Sequence, residues 1–325
     1  MAKKRMEQDL EALDAVVALP LEARIEPLRA ALRHRNNFVV ARAAKLVEQA
    51  PLPALIPELL TAYDRFFADP VKTDPQCWAK NALVHALAAL DHQEAEPYLR
   101  GVVHRQFEPV WGGQSDTAST LRSHCLFALI PCRELSEPTL LRHFITALAD
   151  PIPTVRASAA RAIAQLESSS ASLLLRLRAE VAGLAAEKEE AEALGACYSG
   201  VLAIEGHSAI AWVAKFLVRE DDAAAEAALA LAGTRAPEAV SPLRAAFARV
   251  GDPWFASVLL SALALTRQPE AAQFLLAQIE AESYYAEQAV EALLRASPAP
   301  ELLEQLTRLV QGNTRLQRVL DRERG

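Results

Sequence analysis

The chain has 325 residues, of which 52% are hydrophobic but only 6% aromatic, and a net charge of −7. A core drawn mainly from Ala, Leu and Val suits closely packed helices, and no strands are expected. Residues 1–165 carry 19 basic and 19 acidic side chains and residues 166–325 carry 15 and 22, an acidic balance that opposes binding to a phosphate backbone.

The start Met1-Ala-Lys-Lys-Arg5 is basic, but the next residues are charged where an export signal would be apolar. No uncharged apolar run reaches the roughly 18 residues of a membrane span. Cys77, Cys125, Cys132 and Cys197 lie far apart without a CxxC pair, as reduced thiols do in a cytoplasmic protein. A soluble, cytoplasmic chain is expected.

Along the chain, residues 5–19 are predicted to form a helix that caps the first repeat unit. One register then returns eight times, anchored at Val39, Ala79, Leu121, Val155, Leu194, Ala223, Phe255 and Tyr285, at intervals of 40, 42, 34, 39, 29, 32 and 30 residues. Eight residues past each anchor stand Val47, Leu87, Leu129, Ile163, Leu202, Leu231, Leu263 and Leu293. With the fourth positions between them they make one stripe at the helical period. Five residues before the anchor an acidic side chain recurs, at Asp74, Asp116, Asp150, Glu189 and Glu280, where a helix start favours a cap or negative charge. Between these helices lie amphipathic segments at 52–68, 94–106, 137–149, 207–218, 237–250, 269–281 and 300–311, several opened by Pro. A longer helical segment is predicted over 171–187, after the serine step 168–170. Each unit is thus a helix pair, and periods of this size mark a repeat array.

The run Asp150-Pro-Ile-Pro-Thr-Val-Arg-Ala-Ser-Ala-Ala-Arg-Ala-Ile163 resembles the second helix of a HEAT repeat, including its Asp and Arg. Arg156 is matched by Arg122 and Lys80, but by Gly195, Ala224, Ala256 and Ala286 later, so no Asp–Arg ladder is expected along the whole length. The last, shorter units are similar to the repeats of the phycobilisome-lyase family. The resemblance implies an all-α fold, a right-handed α-solenoid of about eight helix-pair repeats. Its divisions are an N-terminal capping helix at 1–19, the HEAT-like solenoid at 20–311 and a polar C-terminal tail at 312–325.

No phosphate loop, HExxH, nucleophile elbow or paired-cysteine metal signature occurs. No enzyme activity, cofactor or metal site is expected. Six of the seven histidines lie in the first half, where His85 and His92 could share a face with the second at or beyond the helix end. Ser123 and His124 near Asp116 form the nearest local grouping of triad type, and Asp116 is read as the cap of a helix that exposes the other two.

In HEAT-like arrays the second helices line the concave side, so residues two, three and six past each anchor are expected to face a groove. The first units present Arg42, Lys45, Asn81, His85, His124, Phe127 and Arg161, and the later ones Ala196, Cys197 and Gly200, then Glu226, Glu287 and Glu291. Such a graded groove suits a partner protein or peptide. The long connection 107–118 carries Trp111 before Gly112-Gly113, either as a contact element or as a plug over helix ends. Trp78, Trp212 and Trp254 are expected in the core. The favoured reading is a non-catalytic interaction scaffold that binds a partner protein along the groove and the Trp111 loop. The resemblance also admits a lyase-like or chaperone-like subunit handling a cofactor or chromophore, and a HEAT-like nucleic-acid-binding protein.

Overall fold

A computed structural model of the protein describes residues 2–182 and 191–324. Glu189 and the end of the segment predicted over 171–187 lie outside them. The described residues are predominantly helical and divide into two compact units, Met1–Ala162 and Ile163–Gly325.

The first unit contains α1 (Ala2–Val16), α2 (Ile25–Leu32), α3 (Asn37–Gln49), α4 (Ile56–Arg65), the short α5 (Pro70–Thr73), α6 (Trp78–Ala89), α7 (Glu96–Val102), α8 (Ser119–Leu129) and α9 (Glu137–Leu148), and α10 (Pro153–Ala164) begins in it. α3 packs on α6 and α6 on α8. The apolar stripe explains this: Val39, Ala43, Val47, Leu83, Leu87, Leu121, Leu126 and Leu129 are fully or almost fully buried.

The acidic residues before these helices do what helix starts require. The Asp74 carboxylate accepts from the N–H groups of Ala79 and Lys80, Asp116 accepts from Ala118 N–H, and Asp150 from Ile152 N–H. Glu280 departs from the pattern. It is the last residue of the helix before its anchor, and the helix it was expected to open starts at Ala286. Caps that the five-residue rule missed lie closer to the anchor. Asn36 serves Phe38 and Val39, Asp221 serves Ala224, and Asp252 serves Trp254.

The expectation of no strands fails at one place. Phe107–Val110 (β1) and Gly113–Asp116 (β2) pair antiparallel, with Val110 opposite Gly113. The connection read as a loop is therefore a β-hairpin, with Trp111-Gly112 as its two-residue turn.

The second unit contains α11 (Ser169–Ala182), α12 (Ala191–Glu205), α13 (Ile210–Ala214), α14 (Asp222–Gly233), α15 (Val240–Phe247), α16 (Pro253–Thr266), α17 (Pro269–Glu280), α18 (Ala286–Arg295), α19 (Pro300–Val310) and α20 (Thr314–Arg324). α12, α14, α16, α18 and α20 pack in succession. The region read as a polar tail thus includes a helix that buries Leu316, Val319 and Leu320. Residues 191–219 are long and apolar enough to cross a membrane by length and composition. Gly206, at φ +63°, breaks that stretch after α12, and Cys197, Tyr198 and Val201 within it are buried in the core.

Tryptophan placement also departs from expectation. Trp78 and Trp254 are about half exposed, because each sits in the first turn of its helix, ahead of the buried stripe. Trp212 is partly exposed, with its indole N–H on Glu180.

Candidate functional site

The hairpin stands on a buried polar foundation. Gln106, just before β1, donates from Nε2 to the Asp74 carbonyl and to Glu108 Oε1, while the Cys77 thiol donates to Gln106 Oε1. Glu108 also accepts from Gln76 N–H and from the Thr117 hydroxyl, each at 2.6 Å. Burial works to raise the Glu108 carboxyl, but these donors outweigh it and hold the group below its ordinary value.

Beside it, Arg122 is 1% exposed and reaches Asp116 at 2.8 Å and Asp150 at 2.9 Å. Arg105 joins the same two carboxylates at 3.4 and 2.7 Å. Two cations face two anions, so the cluster is balanced, and Arg122 also donates to the His104 carbonyl. Burial raises the Asp116 carboxyl, but the N–H groups of Ala118 and Gln106 and the charge of Arg122 bring it below the ordinary value.

On this base the turn carries Trp111, which is 102% exposed. Gly112 supplies φ +88° at the second central position, the pattern of a type II turn, which favours glycine there. Phe107 and Val110 on β1 are also exposed. Trp111 is no plug: it touches nothing of its own chain and is held outward on a short, well-braced hairpin.

The helix face of the first unit gathers part of the predicted groove set. His85 on α6 and His124 on α8 meet through Nε2 at 3.3 Å. Glu48 of α3 lies 3.9 Å from His85 Nδ1. Lys45 and His85 are exposed, and Phe127 is partly exposed. Arg161 on α10 is exposed and Asn81 is half-buried.

Arg42 does not offer a spare charge, because the Asp14 carboxylate of α1 takes both its Nε and Nη2 at 2.8 and 2.5 Å. In the second unit Ala196, Cys197 and Gly200 are buried, which corrects the groove assignment there. A Cβ on Gly200 would stand 2.7 Å from Leu175 Cδ1 and 3.0 Å from Ala164 Cβ. The small residues let neighbouring helices approach.

The triad-like grouping does not assemble. Asp116 is committed to Arg122, and His124 faces His85. Among the described residues no group of three or more His, Cys, Asp or Glu side chains is placed to hold a metal ion. Cys77 and Cys125 are buried, and burial pushes both thiols up to about 12, well away from the reactive thiolate range.

Between the C-terminal ends of α6 and α8 lies a hollow of about 250 Å³ lined by His85, Asp91, His92, His124 and Phe127 with smaller apolar side chains. His92 follows the α6 C-cap Leu90, as the sequence placed it, and is 9% exposed. Sequence reasoning missed Asp91 and the hollow itself, since α6 and α8 meet 39 residues apart in the chain.

No family model matches the chain, and no curated protein matches it.

Proposed function

We propose that the chain is a non-catalytic protein–protein interaction scaffold, built as a right-handed α-solenoid of HEAT-like helix pairs, that takes a partner protein or peptide at its first unit. The observation that carries this reading is Trp111, fully exposed at the tip of a hairpin whose base is fixed by buried hydrogen bonds and ion pairs. A flexible exposed tryptophan loses freedom on binding, whereas one already held outward costs less to dock. Tryptophan is also the side chain most enriched among residues that dominate binding energy. Val110, next to the turn, adds an exposed apolar side chain to the tip, and the face with Lys45, His85, His124, Phe127 and Arg161 offers polar and charged groups for register.

The test is affinity capture from native-host lysate with quantitative mass spectrometry, comparing the wild type with Trp111→Ser and with the double variant Lys45→Glu/Arg161→Glu. Arg42 is left intact because it holds the capping helix through Asp14. A protein retained by the wild type and lost by Trp111→Ser is the expected result. Identical capture profiles for wild type and Trp111→Ser overturn the reading.

A further inference from the structure

The hairpin has two edges, and its register decides what each can offer. In an antiparallel pair the strands exchange hydrogen bonds at every second position, and the residues between turn their N–H and C=O groups away from the partner strand. The two-residue turn makes Val110 and Gly113 one bonded pair. Thr117 N–H donates to the Gln106 carbonyl at 2.8 Å and marks another, four residues down each strand. Phe107 and Pro109 on β1 and Gln114 and Asp116 on β2 are therefore the outward-facing residues. No hydrogen bond among the described residues uses the backbone groups of these four.

The edges differ in what guards them. Proline and charged side chains on an edge strand are the usual devices against added strands. Pro109 supplies one on β1, where it removes an outward donor. β2 has neither device: Gln114 and Ser115 are exposed and uncharged, and the single charge of the strand, on Asp116, is taken by Arg122.

The open edge also specifies the shape of what fits it. Gln114 and Asp116 turn out two N–H donors and two C=O acceptors, spaced about 6.8 Å apart as alternate residues of a strand are. Extended backbone repeats at that spacing and can meet all four groups, whereas a helix has already spent its own backbone groups internally. The edge is fixed before anything binds, because the Thr117 hydroxyl donates to Glu108 and the Asp116 carboxylate is held by Arg122. Little order has to be gained on docking.

We propose that β2 is a docking edge, to which an extended segment of the partner protein adds as a third strand beside the Trp111 turn. This gives the form of the partner and rests on the interaction-scaffold reading. Main-chain bonds to Gln114 and Asp116 supply affinity, and the exposed indole at the adjoining turn supplies selectivity among side chains.

The experiment titrates the full chain, labelled with ¹⁵N, with acetyl-Thr-Val-Lys-Val-Thr amide, a soluble probe rich in strand-forming residues. The amide resonances of Gln114 and Asp116 are expected to move saturably with a Kd on the order of 0.1–10 mM, as for a weakly bound fragment. The same peptide methylated on every backbone nitrogen has no donor to give and is expected to bind at least about tenfold more weakly. Gln114→Pro copies the guard of β1 onto β2, removing an outward donor and no ladder bond. It should weaken the peptide at least about fivefold, read at Asp116, with the melting temperature within about 2 °C of the wild type. Gln114→Ala keeps the N–H and should bind as the wild type does.

No shift at Gln114 and Asp116, equal binding of the methylated peptide, or unweakened binding to Gln114→Pro overturns the proposal. A dimer of the free chain that Gln114→Pro dissolves also overturns it, by giving the edge to a second copy. Capture lost in Trp111→Ser but intact in Gln114→Pro shows the scaffold reading standing after the docking edge has failed. Peptide binding at the edge without Trp111-dependent capture shows the reverse.

Discussion

The two units use the same register position in opposite ways. One residue past the anchor the first unit places Val40, the buried cations Lys80 and Arg122, and the part-exposed Arg156, while the second places Gly195, Ala224, Ala256 and Ala286. Lys80 is fully enclosed yet donates to the Asp74 carboxylate and the Phe66 carbonyl. Arg122 is likewise covered by Asp116, Asp150 and the His104 carbonyl. In the second unit the helix at that position meets its neighbours through methyl groups or less. Gly195 leaves space that Glu226 occupies, since a Cβ there would collide with the Glu226 carboxylate. A helical repeat can thus fill one position with a long cation that ties carboxylates together or with a small residue that brings helices close. The first solution demands that every charge stay paired; the second demands that no atom be added.

Replacing Arg122 by Met breaks the first solution most severely, because it removes the buried one of the two cations that answer Asp116 and Asp150 and leaves only the more exposed Arg105 to face both carboxylates. A loss of about 3–5 kcal/mol is expected in urea denaturation, and a loss below about 1 kcal/mol would show that water already reaches the cluster. Gly200→Ala attacks the second solution, where Leu175 can turn aside but Ala164 is fixed on its helix. Overpacking of about 1–3 kcal/mol is expected by the same measurement, and an unchanged midpoint would show that the helices have room to part.

Acid sharpens the comparison, because the perturbed groups of the first unit act in the same direction. The folded pKa of His124 lies below its ordinary 6.5. As pH falls from 6.5 to about 4 the unfolded chain takes up the proton first, and stability is lost over that window, by at most about 3 kcal/mol. Glu108 and Asp116 are held below their ordinary values, so their contribution is present above the unfolded pKa near 4 and is lost below it. Thermal unfolding between pH 7 and pH 4 should therefore flatten in His124→Phe. A variant that tracks the wild type would remove His124 as the cause.

The smallest effect on stability is expected from Trp111→Ser, within about 0.5 kcal/mol, since the side chain is fully exposed. Its effect on capture is the largest. A marked fall in melting temperature would show that the indole packs on its own chain.

Helical periodicity was readable because it repeats: one stripe of Ala, Leu and Val located the second helices, and the acidic residues at 74, 116 and 150 located their starts. The hairpin was not readable. Pro109 inside β1 and the paired glycines at the turn look like loop chemistry, and the strands are held by Gln106 and Glu108, whose partners Asp74 and Gln76 lie ahead of α6. Its one local sign was a two-residue Trp-Gly turn between short flanks that alternate in size. The surface placement of Lys45, His85 and Arg161 and the partial exposure of His124 and Phe127 were legible from the register, while the commitment of Arg42 to Asp14 was not, because α1 carried no marker of its register. Burial of Ala196, Cys197 and Gly200 was equally invisible, since small residues suit both an open wall and a tight contact.

Arg122 has a mechanical consequence. Its two aspartates serve the starts of successive helices, Asp116 that of α8 and Asp150 that of α10, so neither helix can pull away alone without parting a buried ion pair. Repeat arrays ordinarily fray one unit at a time from their ends. Here Arg122, with Arg105 beside it, acts as a rivet, and amide protons on α8 and at the start of α10 should exchange together, as one block, rather than in sequence.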